Sequence, residues 1–342
     1  MQSYKLQNQT SLHVINTKGK HAIFHDTTIV AIQKILAKKQ KVIIFINKQG
    51  VHTGMICKEC WHIPYCKNCD IPIALHHNTH HQLFGLCPVC QETYATITQC
   101  PACVVGKMWW YGIGIQQVAD HCQQLFGIYP LIIQSSSANS FSKVDSLLKA
   151  ATDAEIILST SLMQSWIVEN IGLVISQNAL SVASPDFNTE YNNFQFLHTI
   201  VHRFKTPHIL LQTSSPDHLI IQSFIEEKPH LFLDHDMLFR QRHHYPPYGE
   251  LCIMIHRNEV ESALLKKVST IFHDMLALKQ SMKRDDIEIY AIPAAIYKMY
   301  SKYRYQIIIK WPEIRSFMDE VYSQLCPFAK WFKIDRGAQS FL

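Results

Sequence analysis

The order of apolar and polar residues in the first 50 positions predicts a strand, a helix and a second strand. Residues 11–16 have the length and apolar content of a short strand. Thr27 and Thr28 precede residues 29–39, where apolar side chains recur at the spacing of one helix face. Residues 41–47 are almost all apolar, and such an unalternated strand is typical of a parallel sheet whose two faces are both covered.

This alternation of strands and helices stops near residue 51 and returns after residue 104. The segment between them shows little periodicity and contains eight cysteines. After it, a helix is predicted at 116–125, and further strands or helices are predicted near 129–134, 144–151, 155–160, 171–176, 193–203, 208–213 and 218–226. The alternation predicts an α/β domain that is interrupted by a cysteine-rich insertion.

From about residue 235 the order of elements changes. A connector with two prolines is predicted at 240–248. It is followed by predicted strands at 251–256, 287–292, 303–310 and 330–335, and by predicted helices at 259–276 and 312–325. The resulting order, β-α-β-β-α-β, is that of a ferredoxin-like domain.

Length and composition limit the class of protein. A chain of 342 residues is long enough for two or three domains, and 47% hydrophobic with 17% charged residues is the composition of a folded protein. No window reaches about 18 uninterrupted apolar residues, so we expect no transmembrane helix. The first ten residues lack the apolar centre of a signal peptide, which points to the cytoplasm. The first 50 residues hold eight lysines and one acidic residue, and this excess permits nucleic-acid binding.

Eight of the 11 cysteines form four C-x2-C pairs, which are Cys57/Cys60, Cys66/Cys69, Cys87/Cys90 and Cys100/Cys103. Each pair can hold one ion from a tight turn, and zinc takes four thiolates tetrahedrally in structural sites. Eight thiolates therefore predict two zinc ions. An iron–sulfur protein and a disulfide cluster are the alternatives, and the C-x2-C spacing without a signal peptide favours zinc.

The spacing alone does not determine which pairs share an ion. We predict a nested arrangement, because it closes the insertion at its base, where both ends return to the α/β domain. In this arrangement the first site comprises Cys57, Cys60, Cys100 and Cys103, and the second comprises Cys66, Cys69, Cys87 and Cys90. Four cysteines leave no position open for water, so both zinc ions should be structural.

The remaining histidines and cysteines are given structural interpretations. The histidine-rich run at 75–81 is either a further metal-binding segment or a solvated loop, and the loop is favoured because the eight thiolates already suffice for two ions. Cys122, Cys252 and Cys326 lie in predicted core elements and are interpreted as small buried hydrophobic residues.

Signatures of nucleotide binding are absent from the sequence. It contains no G-x-x-x-x-G-K-[ST] loop, without which a P-loop chain cannot cradle the phosphates of a nucleotide. Gly112 and Gly114 form a G-x-G, but Gln117 stands where a dinucleotide fingerprint has its third glycine. No H-E-x-x-H, G-x-S-x-G or deaminase-type pattern occurs either.

Several short motifs occur in a fixed order around the cysteine pairs. They are Phe-Ile-Asn-Lys-Gln-Gly at 45–50, Gly-x-Gly at 112–114, Pro-Asp-Phe at 185–187, Phe-Gln-Phe-Leu at 194–197, Gln-Thr-Ser-Ser-Pro-Asp-His at 212–218, Tyr-Pro-Pro-Tyr at 245–248 and Lys-Tyr-Arg-Tyr-Gln-Ile-Ile-Ile-Lys at 302–310. Together with the cysteine pairs, they resemble the C-terminal half of the primosomal replication-restart DNA helicases, the PriA family. The resemblance extends over essentially the whole chain.

The resemblance implies a second RecA-like helicase lobe, a parallel sheet with helices on both faces, that carries a two-zinc insertion. A small α+β, ferredoxin-like domain follows it. The implied boundaries are 1–54 and 105–234 for the lobe, 55–104 for the zinc-binding insertion and 235–342 for the C-terminal domain, which is of a DNA-binding type. The family acts in DNA replication restart, so forked or single-stranded DNA, other primosome proteins and the single-stranded-DNA-binding protein are the implied partners. The implied location is the cytoplasm, in association with the nucleoid.

The helicase motifs of the second lobe are altered in this chain. The family's Gly-Thr-Gln-Met and Lys-Gly correspond to Ser-Thr-Ser-Leu at 159–162 and Ser-Trp at 165–166, and its Asp-Ala-Asp corresponds to Gln-Asn-Ala at 177–179. Arg203 stays in register as a remnant of the arginine motif, but the second arginine is missing. Because such arginines stabilise charge on the transferring phosphoryl group, we predict little or no ATP hydrolysis by this chain. ATP and Mg²⁺ would bind only with a first lobe supplied.

Residues 297–305 interleave cations with tyrosines and contain no acidic residue. Cations contact phosphates and aromatic rings stack on bases. We therefore predict DNA contacts from Lys298, Tyr300, Lys302, Tyr303 and Arg304. The alternative is an ordinary edge strand with Tyr303 and Tyr305 facing inward and Lys302 and Arg304 facing outward.

The sequence leaves open the roles of several other basic residues and two alternative functions. Lys58, Lys67 and Lys107 beside the cysteine pairs are interpreted as solvated side chains, with contact to DNA or to a partner as the alternative. Arg240 and Arg242 are interpreted as anchors of the connector or as DNA contacts. One alternative function is an active 3′–5′ DNA helicase subunit that is completed by a separate ATP-binding lobe. The other is a non-enzymatic scaffold of the primosome that binds no DNA.

Overall fold

The structure of the chain is a computed structural model. It describes residues 1–19, 22–46, 54–77, 83–95, 97–111, 114–133, 141–160, 163, 168–180, 186–312, 333–336 and 338. The chain divides into two compact units. Unit 1 comprises Met1–His52, Gly112–Ser184 and Thr189–Leu233, and unit 2 comprises Thr53–Tyr111, Pro185–Asn188 and Asp234–Leu342. The cysteine-rich segment therefore belongs to the same unit as the C-terminal part of the chain.

The described elements alternate between strands and helices in unit 1 and are mainly strands in unit 2. In chain order the strands are β1 (Gln2–Lys5), β2 (Ser11–Asn16), β3 (Lys41–Ile46), β4 (Gly54–Cys57), β5 (Ala74–His77), β6 (Leu83–Leu86), β7 (Thr93–Tyr94), β8 (Met108–Tyr111), β9 (Leu131–Ile133), β10 (Ile156–Ser159), β11 (Ile171–Gln177), β12 (His208–Thr213), β13 (Glu250–Asn258), β14 (Glu288–Met299), β15 (Lys302–Trp311) and β16 (Lys333–Arg336). The helices are α1 (Asp26–Ala37), α2 (Ile115–Phe126), α3 (Phe141–Asp153), α4 (Thr189–Arg203), α5 (Leu219–Ile225), α6 (His230–Arg242) and α7 (Glu261–Ser281). Within the described part of the chain, no helix combines the length and the apolar character needed to cross a membrane.

Unit 1 is built on a seven-stranded sheet in the order β1-β2-β12-β11-β3-β10-β9. All neighbouring strands are parallel except β1 and β2. The side chains of β3 alternate between two cores, with Val42 and Ile44 on one face and Ile43 and Phe45 on the other. The prediction of a parallel sheet that is covered on both faces is therefore confirmed, and it explains why β3 shows no polar alternation.

The first elements follow the predicted pattern with two differences. β2 lies at the predicted residues, but α1 begins three residues before position 29. His25 caps this helix, because its Nδ1 accepts a hydrogen bond from Thr27 N at 3.3 Å. The pattern does not predict β1, a polar strand that pairs antiparallel with β2 at the edge of the sheet.

We expect unit 1 to lose stability as the pH falls below about 6.5, because two neighbouring imidazoles resist protonation. His13 Nε2 lies 3.4 Å from His208 Nδ1, and His13 Nδ1 lies 2.8 Å from Ser3 Oγ. Burial lowers the pKa of His13, and His208 adds to this shift. Burial also lowers the pKa of His208, with a further contribution from Lys38. The unfolded chain therefore binds more protons in this range, so the stability is present above it and is lost as the pH falls.

Urea unfolding of unit 1 near pH 7.5 and near pH 5.5 measures this dependence. The wild-type chain should have the lower free energy of unfolding at the lower pH, and His13→Gln should show a smaller difference between the two conditions. Equal pH dependence in the wild type and in His13→Gln would show that the imidazole pair does not cause it.

Unit 2 contains a four-stranded antiparallel sheet in the order β14-β15-β13-β16. Helix α7 packs on one face, where Leu264 contacts the core that includes Ile307 and Trp311. β14 extends to Met299, seven residues beyond the predicted end, and a two-residue turn joins it to β15. The helix predicted at 312–325 lies outside the described residues beyond position 312.

A helix that the sequence pattern does not predict leads into this sheet. α6 extends to Arg242, so the first part of the predicted connector is helical. Arg240 Nε donates to Asp236 Oδ2 at 2.7 Å, and its Nη atoms donate to Pro246 O and Asn188 Oδ1. Both charged side chains are buried, with 7% and 8% of their surface exposed. Arg240 therefore anchors the connector, which is one of the two roles that the sequence analysis left open for it.

Candidate metal centres and nucleic-acid interface

The four C-x2-C pairs form the same tight turn four times. In each turn, the N–H of the residue after the second cysteine donates to the carbonyl of the first cysteine at 2.9 to 3.1 Å. The four donors, all with left-handed backbone and φ between 46° and 63°, are Trp61, Asp70, Gln91 and Val104. Residues other than glycine rarely adopt this conformation. Its occurrence in all four turns indicates that each turn has to hold its two thiols in the same relative position.

The first tetrad brings together Cys57, Cys60, Cys100 and Cys103, whose Sγ atoms lie within 4.8 Å of one another. The Sγ atoms are 3.6 Å apart between Cys57 and Cys103, and 3.6 Å apart between Cys60 and Cys100. Thiolates about 2.3 Å from a tetrahedral ion lie about 3.8 Å apart, whereas the sulfurs of a disulfide lie about 2.05 Å apart. The spacing fits a metal ion, and all ten described cysteines are free thiols.

The second tetrad brings together Cys66, Cys69, Cys87 and Cys90 within the same limit of 4.8 Å. Cys66 Sγ and Cys90 Sγ are 3.6 Å apart. The hydroxyl of Tyr94 donates to Cys66 Sγ at 3.1 Å and accepts a hydrogen bond from Lys67 N at 3.1 Å. Tyr94 thus fixes the position of one sulfur of this candidate metal site. Nothing in the sequence distinguishes it from the other tyrosines.

Backbone N–H groups are directed at the sulfur atoms of both tetrads. The donors, at 3.3 to 3.4 Å, are Glu59 to Cys57, Asn68 to Cys66, Ala102 to Cys100 and Gly106 to Cys103. Such donors stabilise negative charge on sulfur, and the thiolate is the form that binds metal. Gly106 also leaves space for the thiols, because a Cβ at this position would overlap Cys57 Sγ. Both features fit sulfurs that hold a metal ion.

The thiols are grouped as in the predicted nested arrangement. β4 pairs antiparallel with β8, so that Cys57 lies opposite Met108. The two ends of the cysteine-rich segment, which we call the module, therefore run side by side. This pairing is the physical reason why the outer two cysteine pairs meet. Cys122 and Cys252 are buried in the cores of units 1 and 2, as expected, and Cys326 lies outside the described residues.

The interpretation of the histidine-rich run as a loop is wrong for its first residues. Ala74–His77 forms β5, which pairs antiparallel with β6. The main-chain hydrogen bonds of a hairpin therefore order this segment despite its polar sequence. Residues 78–81 of the run lie outside the described residues.

Three of the five predicted DNA-binding residues lie at the turn between β14 and β15. Tyr300 is in the turn itself and is 58% exposed. Lys302 Nζ lies 3.5 Å from an oxygen of Glu259, and both of these side chains are well exposed. Lys298 Nζ lies 5.1 Å from the centre of the Tyr303 ring. The exposed ring and the two ammonium groups can reach a ligand in solvent.

Tyr303 and Arg304 are placed differently from this exposed group. Tyr303 packs against the core under α7. Arg304 is partly buried, and its Nη1 donates to Ile296 O at 3.4 Å. Burial, and then the neighbouring charge of Arg257, lower the pKa of Arg304. The register between β14 and β15 shifts in the stretch where Ile296 lies, so a regular alternation of inward and outward side chains does not apply there.

The altered helicase-type positions lie in unit 1. Arg203 is the last residue of α4 and is exposed. Gln177 is only 2% exposed, accepts a hydrogen bond from Gln212 Nε2 at 2.5 Å and donates to Ile23 O. A buried pair of uncharged amides therefore lies at the carboxyl end of β11, where the resemblance described above predicts a carboxylate. Residues 161–162 and 165–166 lie outside the described residues.

Comparison with known proteins gives a consistent result. No family model matches the chain. The replication restart protein PriA of Synechocystis sp. is 25% identical over 337 residues, which are 93% of this chain and 39% of that protein. The proteins of the same name from Borreliella burgdorferi and Bacillus subtilis are 27% identical over 305 residues and 24% identical over 309 residues. These matches cover 87% and 86% of this chain, and 45% and 37% of the two relatives. The chain thus spans less than half the length of these three relatives.

Proposed function

We propose that the chain is a C-terminal portion of a PriA-family protein. We further propose that it binds forked or single-stranded DNA in replication restart, with two structural zinc ions. The observation that carries the proposal is that two complete cysteine tetrads occur in a chain that is similar to a replication restart protein over 93% of its length. Other primosome proteins and the single-stranded-DNA-binding protein are the proposed partners, and the nucleoid is the proposed location.

We assign zinc to both tetrads because four thiolates at tetrahedral spacing form a closed site of the kind that structural zinc occupies. Bound zinc would cross-link the turns and supply no reaction chemistry. Cys57, Cys60, Cys100 and Cys103 would hold one ion, and Cys66, Cys69, Cys87 and Cys90 the other.

The proposed domains are a RecA-like lobe at 1–54 and 105–234, a zinc-binding insertion at 55–104 and a ferredoxin-like domain at 235–342. The largely parallel sheet of unit 1 supports the first, and the strand order β14-β15-β13-β16 supports the last. ATP hydrolysis by this chain alone is not part of the proposal. The neutral side chain of Gln177 and the single remaining arginine, Arg203, argue against it.

Neutralising Lys298 and Lys302 should weaken binding to DNA and reduce its dependence on salt. Each lysine that contacts a phosphate of a single strand contributes about 0.7 to the slope of log affinity against log salt concentration. The double variant Lys298→Gln/Lys302→Gln should therefore lower the slope by about 1.4. Fluorescence anisotropy of a labelled forked oligonucleotide with a single-stranded arm, titrated at several salt concentrations, measures it.

Lys279→Gln/Lys283→Gln is the matched control, because it removes the same charge from the end of α7 and the turn after it, away from the hairpin turn in the sequence. This control should keep the wild-type slope. An equal loss in both double variants would assign the effect to net charge rather than to the hairpin turn. A wild-type chain without any salt-sensitive binding would contradict the proposed function and favour a scaffold that binds no DNA.

A further inference from the structure

The turn of the β14–β15 hairpin lies against the second cysteine tetrad. Ser301 N donates to Asn68 O at 2.8 Å, and Ser301 Oγ donates to Asn68 Oδ1 at 3.2 Å. Tyr300 Oη donates to Val89 O at 3.2 Å. Asn68 lies between Cys66 and Cys69, and Val89 lies between the other two ligands. The turn therefore contacts both cysteine turns that form this tetrad.

A further contact joins the hairpin to the same site. Met299 packs against a small core that consists of Met55, Ile73 and three buried cysteines of the second tetrad. The end of the hairpin is thus part of the packing around the proposed metal ion.

The sequence of the turn is unsuited to a free hairpin. Met299 pairs with Lys302, so Tyr300 and Ser301 form a two-residue loop. Their φ angles are +51° and +62°, and two-residue loops with both residues in this region favour Asn-Gly or Asp-Gly. Tyrosine and serine adopt the left-handed conformation at a cost in free energy. The contacts with Asn68 and Val89 offset this cost.

The contacts also bring a third lysine to the hairpin. Lys67 precedes Asn68 and is exposed, as are Lys302 and the ring of Tyr300. Lys67 belongs to a cysteine turn of the second tetrad, whereas Lys298 and Lys302 lie on the strands of the hairpin. Lysines around an exposed aromatic ring match single-stranded DNA, in which bases stack on the ring and phosphates meet the cations.

We infer that the second metal centre positions a composite site for single-stranded DNA, formed by Lys67 on the cysteine turn and by Lys298, Tyr300 and Lys302 on the hairpin. This inference rests on the proposed function. Metal in the second tetrad holds Asn68 and Val89 in place, and they hold the hairpin turn in its strained conformation. Without that metal, the turn loses its support and the two parts of the site separate.

Hydrogen exchange of residues 297–303 and binding to a labelled oligothymidylate test the inference in parallel. Tyr300→Phe/Ser301→Ala removes two hydrogen bonds to the cysteine turns but keeps the aromatic ring, the lysines and all eight cysteines. It should bind two zinc ions, exchange faster at the turn and bind the oligothymidylate several-fold more weakly. Cys87→Ser should show the same changes with one zinc ion. Cys122→Ala, which removes a buried cysteine of unit 1, should behave as the wild type in both measurements.

Two more variants separate the parts of the site. Lys67→Gln should lower the salt slope by about 0.7 without changing exchange at the turn. Tyr300→Asn/Ser301→Gly supplies a sequence that favours the turn by itself, so its exchange should no longer depend on metal in the second tetrad.

The outcomes distinguish this inference from the proposed function. Unchanged exchange at the turn in both Tyr300→Phe/Ser301→Ala and Cys87→Ser would overturn the positioning role, whatever the chain binds. Faster exchange with undiminished binding to the oligothymidylate, or an unchanged salt slope in Lys67→Gln, would overturn the composite site alone. A wild-type chain that binds no DNA at any salt concentration would overturn the proposed function, and the composite site with it.

Discussion

Cys87→Ser is expected to reduce the zinc content from two ions to one per chain and to unfold the turns around the second tetrad. The core of this module is small, and most of its fully buried side chains are the cysteines themselves. Apolar burial therefore contributes little to its stability. Structural zinc contributes about 10–16 kcal/mol to the folding of small zinc-dependent domains, and a serine hydroxyl is a poor substitute for a thiolate.

Elemental analysis of purified protein gives the zinc content, and hydrogen exchange of residues 64–95 reports whether the module is folded. Cys122→Ala is again the matched control and should keep two ions and the wild-type exchange rates. Cys60→Ser should also lose one ion, but from the first tetrad. A Cys87→Ser protein with two ions, or with a module as protected as in the wild type, would show that the tetrad is not a metal site.

Arg240→Ala is expected to lower the free energy of unfolding of unit 2 by about 3–5 kcal/mol, because it leaves the buried carboxylate of Asp236 without its partner. The same change removes a hydrogen bond to Pro246 O, which ties the connector to α6, and a hydrogen bond to Asn188 Oδ1. Urea unfolding followed by a signal from unit 2 measures the loss.

Arg242→Ala is the control for this change, because Arg242 lies on the same helix and is exposed. It should alter the free energy of unfolding by no more than about 0.5 kcal/mol. Asp236→Leu/Arg240→Met removes both charges and should cost much less than Arg240→Ala. Equal losses in Arg240→Ala and Arg242→Ala would contradict the account of the buried pair.

The sequence pattern predicts the elements that are buried on both faces better than those at the edges. β3 and β11 are runs of apolar residues, and the structure shows them side by side in the parallel sheet. β1 has a polar sequence, and it forms because β2 offers it an edge for backbone hydrogen bonds. Such pairing depends on backbone groups, which every residue carries, so the side-chain pattern does not reveal it.

The candidate site could be predicted only in part, for a similar reason. Cysteine spacing indicates the ligands directly, since the chemistry of the metal requires those residues. The burial of Arg304 could not be predicted, because it follows from the shifted register between β14 and β15. The contact between Ser301 and Asn68 joins residues that are 233 positions apart, and no local pattern encodes such a contact.

The zinc content of the wild-type chain tests the central claim most directly. Native mass spectrometry of protein purified under reducing conditions gives the number and mass of bound metal ions in one spectrum. The account predicts a single dominant species with two zinc ions and eight deprotonated cysteines. A dominant species with no zinc, or one with the mass of an iron–sulfur cluster, would contradict it.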